Sequence, residues 1–316
     1  MTMAATPWSS TPSTGVDELL FQNDTVSLCL LVNRRHKTLR VIDFRAGPTV
    51  AKRNFVIAAA KRESVEKVFT LVERDEVSTW TRLGFTREGS IPSFYKRSDA
   101  WILGAVVANV PPMQGDPRMQ LTADDDEDDV PEEAPQTSAA VALAERTIAR
   151  AKRLVKSSPE KSLPRVTLAP AKDADVKRAM AAAQRSGALL TGFEPFGRDV
   201  ERRYFSITAR GGFELIASTE SQSCFGNAFL ELLTGPKTEA ERLATVAALR
   251  TLCDKLLAEG VVSCFAMSAS DDVALATAYV FNGFRRTGLL QNHITVGGAR
   301  KDAIVWSRKL ANPADE

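Results

Sequence analysis

Residues 271–284, DDVALATAYVFNGF, decide the fold of this chain, because they describe a short capped helix that ends in a glycine-aromatic pair. An acidic residue before an apolar run can cap a helix, and a glycine after the run suits its C-terminal end. A shorter version, DEVSTWTRLGF, occupies residues 75–85, with Trp80 in the place of Tyr279. The two stretches predict the same local structure with a different aromatic residue in it.

A second landmark repeats in the same order and supports a duplication. Gly47-Pro48 precedes the first stretch and Gly235-Pro236 precedes the second, and the offset between the copies grows from 188 to 199 residues along the repeat. Such an offset is expected of a duplicated unit whose helices have changed length, and two copies are too few for a solenoid. The sequence therefore predicts a tandem of two related α/β units.

Composition limits the classes of function. The 316 residues suggest roughly two domains of about 150 residues. A net charge of +2 gives no case for a nucleic-acid partner. The longest apolar stretches, near 101–110 and 179–190, are too short or too interrupted to span a bilayer. The first 15 residues lack the basic start and apolar core of a signal peptide.

Cysteine and histidine usage argues against a metal site. Four cysteines stand far apart in apolar runs without a Cys-x-x-Cys pair, and there are two histidines. This pattern predicts free thiols in a reducing compartment and no bound metal. We therefore expect a cytoplasmic protein.

In the N-terminal half, the pattern of apolar runs predicts a truncated domain at 17–110, after a disordered segment at 1–16. Apolar strands at 27–32 and 38–44, a helix at 50–63 and a strand at 65–72 lead into the first repeat stretch. Two closing strands give the order β-β-α-β-α-β-β.

Residues 111–164 predict a linker. Its acidic run at 124–129 has no apolar residues to bury and is expected to be disordered, either as a spacer or as a docking tail for a basic partner. An Ala-rich basic helix is expected at about 137–157, folded back on the acidic run or packed on a domain.

The C-terminal half predicts a fuller domain at 165–310. An apolar strand at 224–233 breaks at Gly235-Pro236, and a long helix follows at 238–258 with leucines at three- and four-residue spacing. A strand at 261–267, a helix at 272–282 and two last strands complete it.

This order resembles the GCN5-related N-acetyltransferase family, in which the short helix ends in a tyrosine followed by Gly-Phe. The resemblance implies a mixed, splayed β-sheet flanked by helices in each unit. It implies that strands 224–233 and 261–267 separate and grip the pantetheine arm of acetyl-CoA like an extra strand. The loop before helix 238–258 would then hold the pyrophosphate at the helix N-terminus.

A narrower resemblance, to β-lysine N-acetyltransferases, rests on residues 288–294, GLLQNHI, and 302–307, DAIVWS. Those enzymes carry an N-terminal unit before the transferase domain. Residues 85–95, FTREGSIPSFY, resemble the end of that unit. The resemblance implies substrate residues in an early aromatic-proline segment and in the loop between the last strands. These are Phe196, Asn292 and His293, although His293 also fits a surface turn.

The resemblance also assigns catalytic and cofactor roles. Tyr279 would protonate the leaving thiolate, as its ordinary pKa near 10 allows, unless it is only a core tyrosine. Glu231 would take the amine's proton through water, unless it is a strand-end residue facing solvent. Cofactor contacts would come from two amides that polarise the thioester carbonyl and from the pyrophosphate loop: Leu232, Leu233, Gly235, Lys237, Thr238 and Ala240.

The pyrophosphate loop departs from the family pattern, Arg/Gln-x-x-Gly-x-Gly/Ala. Pro236 has no amide hydrogen to donate, and Glu239 brings a carboxylate close to the phosphates. Two functions therefore stay open. One is an N-acetyltransferase acting on a small diamino or β-amino acid such as β-lysine, with a homodimer as one assembly. The alternative is a catalytically inactive member of the family that binds a protein partner.

Overall fold

The computed structural model describes residues 16–22, 27–43, 47, 49–95, 98–111, 113–114, 138–158, 163–190, 193, 195–197, 200–221 and 225–311. The segment predicted to be disordered at 1–16 lies outside these residues except for Val16, which begins a strand. The acidic run at 124–129 lies outside them as well. The chain forms two compact units, Met1–Arg87 with Ile102–Ala134 and Glu88–Trp101 with Pro135–Glu316. The predicted domain boundaries stay predictions.

The first unit is built from strands and two helices in the predicted order, with one additional strand at its start. The elements in this part of the chain are β1 (Val16–Gln22), β2 (Ser27–Asn33), β3 (Thr38–Asp43), α1 (Val50–Arg62), β4 (Lys67–Val72), α2 (Val77–Arg82), β5 (Thr86–Ile91) and β6 (Ala100–Val106). From Glu88 onward, β5 belongs to the second unit. Strand β1 was not predicted, because its buried and exposed residues alternate only partly.

The sheet of the first unit has the order β1-β2-β3-β4-β6. Strands β1 and β2, and β2 and β3, are antiparallel, whereas β3 and β4 are parallel. Helix α1 makes the parallel connection between β3 and β4, as a crossover requires. It begins at Thr49, whose side chain accepts a hydrogen bond from the Lys52 amide at 3.2 Å.

The second unit continues through eleven further elements. They are α3 (Ser138–Ser157), β7 (Val166–Pro170), α4 (Asp173–Arg185), β8 (Glu201–Ala209), β9 (Phe213–Ser221), β10 (Asn227–Leu232), α5 (Glu239–Ala258), β11 (Ser263–Ala269), α6 (Val273–Phe281), β12 (Arg285–Val296) and β13 (Ala299–Lys309). The predicted basic helix is therefore present as α3.

The sheet of the second unit is mixed, in the order β5-β12-β13-β11-β10-β9-β8-β7. Only β10 and β11 pair in parallel among the described registers of this unit, and α5 connects them. Helices α3, α5 and α6 share one core with Leu230 and Ala266 on one sheet face. Helix α4 packs on the other face against Ile216 and Leu233. The architecture is mixed α/β.

The two units share a strand order over five strands. The order β1-β2-β3-β4-β6 in the first corresponds to β8-β9-β10-β11-β13 in the second. The pairing directions also agree: β3 and β4 are parallel, as are β10 and β11. In the described part of the chain, the first unit has no counterpart of β7 and α4. Among the described residues, no helix combines the length and the apolar character needed to cross a membrane.

Two facing glycines allow β5 and β12 to approach each other within the second unit. Gly89 pairs with Gly288. A Cβ atom built on Gly288 would lie 2.8 Å from the Gly89 Cα and 2.9 Å from the Glu88 carbonyl oxygen. Both neighbours are backbone atoms, so the strands themselves would have to separate.

Gly288→Ala is therefore expected to destabilise the fold by roughly 1–3 kcal/mol, the range for overpacking. Urea unfolding measures the loss. Gly235→Ala is the matched control, because its Cβ would meet only the Leu190 side chain at 3.6 Å. Equal losses from the two variants would contradict a close backbone contact at Gly288.

Candidate functional site

Strands β10 and β11 separate in the middle of the sheet. Their parallel pairing runs from Asn227 and Ser263 to Leu230 and Ala266. Beyond this point β10 still pairs with β9 on its other side, and β11 still pairs with β13 through Ala269. The ends of the two strands are therefore unpaired with each other. We call this opening the slot.

Tyr279 lies on α6 beside the slot. Helix α6 begins at Asp272, whose side chain accepts a hydrogen bond from the Leu275 amide at 2.9 Å. The Tyr279 ring is fully buried and stacks on Trp306 with 5.6 Å between ring centroids. Burial raises the pKa of Tyr279 well above its ordinary value. The hydroxyl therefore stays protonated and is available as a hydrogen-bond donor.

The slot is almost filled by side chains. Its walls come from β10, β11, α6, β12 and the connector after α4, and include Leu190, Leu232, Met267, Ser268, Tyr279 and Ile294. The cavity that remains measures about 10 Å³, which is close to the space of one water molecule. A thioester arm can enter only if one of these walls moves.

The two amides predicted to polarise the thioester carbonyl point to opposite sides of β10. The Leu233 amide donates to the Ile216 carbonyl oxygen at 2.9 Å, so it is engaged in the sheet. This corrects the assignment of Leu233 as a thioester-binding amide. Hydrogen-bonded pairs alternate along antiparallel strands, so Leu232, opposite Ala217, directs its amide away from β9. On that side β11 has already separated, and the Leu232 amide faces the slot.

The loop at Gly235 and the start of α5 form the predicted pyrophosphate site. Thr238 caps the helix by accepting a hydrogen bond from the Glu241 amide at 3.2 Å. The Glu241 carboxylate in turn accepts from the Lys237 amide at 2.7 Å, a variant of the capping box. One predicted amide donor is thus already taken by an acidic side chain.

A second carboxylate lies at the same helix end. Glu239 is ion-paired with Arg242, whose hydrogen bonds lower the pKa of Glu239. Lys237, Thr238 and Ala240 are exposed, so the helix end is open to a ligand. Two glutamates there oppose a pyrophosphate, because like charges at a helix N-terminus compete for the same positive end.

Glu231 lies on the face of the sheet opposite to α5 and is not a solvent-facing strand end. Its carboxylate accepts hydrogen bonds from the Arg202 guanidinium at 2.7 Å and from the Phe193 amide at 3.1 Å. Arg202 on β8 also approaches Glu220 on β9 at 3.5 Å. Sequence analysis missed Arg202 and Glu220. Arg202 stands between Glu201 and Arg203, and Glu220 between Thr219 and Ser221, so no local sequence pattern distinguishes either residue.

Phe196 connects this charged group to an aromatic cluster. Its amide lies 2.8 and 2.9 Å from the two carboxylate oxygens of Glu220. Its ring contacts Phe229 and Phe265, with centroids 4.9 and 5.4 Å apart. Phe94 extends the cluster to Phe265 at 6.0 Å. The predicted substrate residue Phe196 therefore lies between an acidic group and an aromatic surface.

Asn292 and His293 lie within β12 and not in a loop between the last strands, which corrects that expectation. The register between β12 and β13 is irregular from Leu290 to Ile294, and Asn292 adopts a φ of 45°. The Asn292 amide donates to the Asp302 carboxylate at 2.8 Å. Asn292 is exposed and His293 is buried. The slot beside Tyr279 is lined by Ile294 and Val296 of β12, and its lining includes neither Asn292 nor His293.

Comparison with known proteins gives similarity only to solved structures. No protein-family model and no curated protein matches the chain. The ribosomal-protein-S18-alanine N-acetyltransferase from Escherichia coli is 20% identical with a TM-score of 0.37, and the match covers 48% of this chain and 97% of that one. Spermidine N-acetyltransferase from Vibrio cholerae, solved with CoA and spermine, is 12% identical with a TM-score of 0.38 over 46% and 95% of the chains. Both TM-scores lie below 0.5, so neither structure supports an assignment of function.

Proposed function

We propose that the second unit is an N-acetyltransferase of the GCN5-related family that transfers acetyl from acetyl-CoA to an amine. The observation that carries this proposal is the slot, with Tyr279 and the Leu232 amide beside it. The element order from β8 to β13 also agrees with the order that the resemblance implies. A calorimetric titration with acetyl-CoA tests the proposal, and absence of heat up to millimolar ligand would contradict it.

The chemistry would be direct acyl transfer. The amine loses a proton and its lone pair attacks the thioester carbonyl carbon, whose oxygen the Leu232 amide polarises. The C–S bond then breaks, and Tyr279 donates its proton to the departing thiolate. Lys237, Thr238 and Ala240 would face the pyrophosphate. Acetyl-CoA would have to displace the Glu241 carboxylate to reach the Lys237 amide.

The acceptor is proposed to be a small diamino or β-amino acid such as β-lysine. This part rests on residues 288–294 and on the charge of the site. A cationic amine suits a face on which two carboxyl groups, Glu220 and Glu231, share one guanidinium beside the Phe196 and Phe229 rings. Asn292 and His293 would contribute only if the ligand extends to β12. A cytoplasmic location and a homodimer remain further proposals.

An inactive, partner-binding protein is the second candidate, and specific observations favour it. The slot has about 10 Å³ of space. The Leu233 and Lys237 amides are engaged, and Pro236 has no amide hydrogen. The same fold can keep its shape after losing its ligand site. Acetyl-CoA binding therefore separates the two candidates.

We also propose that the first unit is a truncated copy of the transferase domain. The shared strand order supports this, and so does the end of the short helix. Phe85 donates to the Trp80 carbonyl at 3.1 Å, and Phe284 donates to the Tyr279 carbonyl at 3.0 Å. The aromatic pairs are also alike, with centroids 4.9 and 5.2 Å apart. Trp80 has no hydroxyl, so this copy would be non-catalytic.

Leu190 is the wall of the slot best placed to move, because it belongs to a connector and not to a core helix or strand. We expect Leu190→Ala to strengthen acetyl-CoA binding roughly tenfold, or about 1.4 kcal/mol, since three carbon atoms leave the slot. Calorimetry measures the affinity. Amide exchange gives a second readout: the Leu232 amide should exchange faster, while the Leu233 amide stays protected by Ile216.

Leu189→Ala is the control for this prediction. Leu189 is a buried neighbour that belongs to the apolar cluster under α4. It should change stability without changing acetyl-CoA affinity. Unchanged affinity and unchanged Leu232 exchange in Leu190→Ala would show that Leu190 does not close the slot.

A further inference from the structure

Three buried charged side chains lie side by side on the face of the second unit's sheet that also carries the aromatic cluster. Arg202 on β8 is opposite Glu220 on β9, and Glu231 follows on β10. Their side chains are 9%, 2% and 5% exposed, respectively. One guanidinium therefore faces two buried carboxyl groups, so the group holds one more acid than base.

The two carboxylates are unequal partners of Arg202. The Arg202 Nη2 atom lies 2.7 Å from the Glu231 Oε2 atom and 3.5 Å from the Glu220 Oε1 atom. A close charged hydrogen bond stabilises an ionised carboxylate, so Arg202 supports the charge of Glu231 more strongly than that of Glu220. Glu220 keeps the weaker contact with the cation, so proton uptake by the group is directed to Glu220.

The surroundings of Glu220 support this difference. Burial, the largest cause, together with the neighbouring Glu231, raises the pKa of Glu220 from 4.5 to about 7, against the opposing effects of Arg202 and of the Phe196 and Gly197 amides. Arg202 on β8 and Glu231 on β10 are the charged groups that face it, and Tyr204 is the nearby phenol. A proton acceptor works best when its pKa is near the operating pH.

We propose that Glu220, and not Glu231, accepts the proton released by the acceptor amine, with Arg202 and Glu231 as its positioning pair. This inference rests on the proposed acetyl transfer. Glu220 is buried and its carboxylate accepts from the Phe196 amide, so we place the transfer through a water molecule, a route open to general bases. The ammonium N–H bond breaks, an O–H bond forms on Glu220, and the amine keeps the lone pair that attacks the thioester.

The test is the pH profile of kcat/KM for the full-length chain with acetyl-CoA and a panel of diamines. In the wild type the rate should rise as Glu220 ionises near pH 7. Glu220→Gln should lose this rise and fall by about 10²-fold at pH 8, the scale of a lost general base. Glu231→Gln frees Arg202 for Glu220 and should move the rise to lower pH without abolishing it.

The outcomes separate this inference from the function on which it rests. A rise near pH 7 that persists in Glu220→Gln and disappears in Glu231→Gln overturns the role of Glu220 and leaves acetyl transfer in place. Wild-type protein without turnover on any diamine overturns both. A KM change alone, with the profile unaltered, would show that Glu220 only holds Phe196, and would also overturn the proposal.

Discussion

Replacement of Tyr279 by phenylalanine is expected to lower turnover by about 10²-fold, the scale of losing a general acid, while acetyl-CoA affinity stays the same. The ring keeps its stacking on Trp306 at 5.6 Å and its contact with Phe284 at 5.2 Å, and only the hydroxyl is removed. Steady-state kinetics and calorimetry measure the two quantities. Because burial raises the pKa of Tyr279, no alkaline loss of activity is expected from its ionisation.

The first unit supplies the matched control. Trp80 is buried against Phe85 as Tyr279 is buried against Phe284. Trp80→Phe should therefore reduce stability without changing turnover per folded molecule. A Tyr279→Phe protein that works at the full rate would exclude the acid role. A wild type with neither binding nor turnover would leave Tyr279 as a core residue and favour the inactive alternative.

Local patterns were enough to predict most helices and strands of the second unit. The leucine spacing predicted α5, and the acidic cap with Gly283 predicted α6, because both signals lie within one element. The predicted start of this helix at residue 238 also agrees with the structure, in which Thr238 caps it. These features depend on neighbours in sequence, which a single chain displays directly.

The site itself depends on neighbours in space, and there the sequence was less informative. The sequence did not show that the Leu233 amide is bound to the Ile216 carbonyl, because this hydrogen bond follows from the register of β9 and β10. Leu233 was therefore assigned to the cofactor incorrectly. Leu190 closes the slot from a connector that no motif marks. Arg202 and Glu220 meet only because β8 and β9 are paired at those residues. Strand register is set by packing and turns together, so a sequence pattern alone does not reveal it.

Glu220 is also expected to make the stability of the protein depend on pH. Burial raises the pKa of Glu220 from 4.5 to about 7 in the folded chain. The folded chain therefore holds this proton more tightly than the unfolded chain. The resulting stabilisation is complete below about pH 4.5 and is lost as the pH rises through about 7. Each unit of difference in pKa is worth about 1.4 kcal/mol, so the change is roughly 3 kcal/mol.

Glu220→Gln removes the charge and keeps an oxygen that can accept the Phe196 amide. The free energy of unfolding of the variant relative to the wild type should therefore rise by roughly 3 kcal/mol between pH 4.5 and 8. Urea unfolding at several pH values measures it, and the difference between the two proteins cancels the other titrating groups. Glu214→Gln, an exposed change on the same strand, is the control and should give a flat difference. A flat difference for Glu220→Gln as well would show that Glu220 is ionised in the folded chain throughout this range, and Arg202 would then have to neutralise both carboxylates.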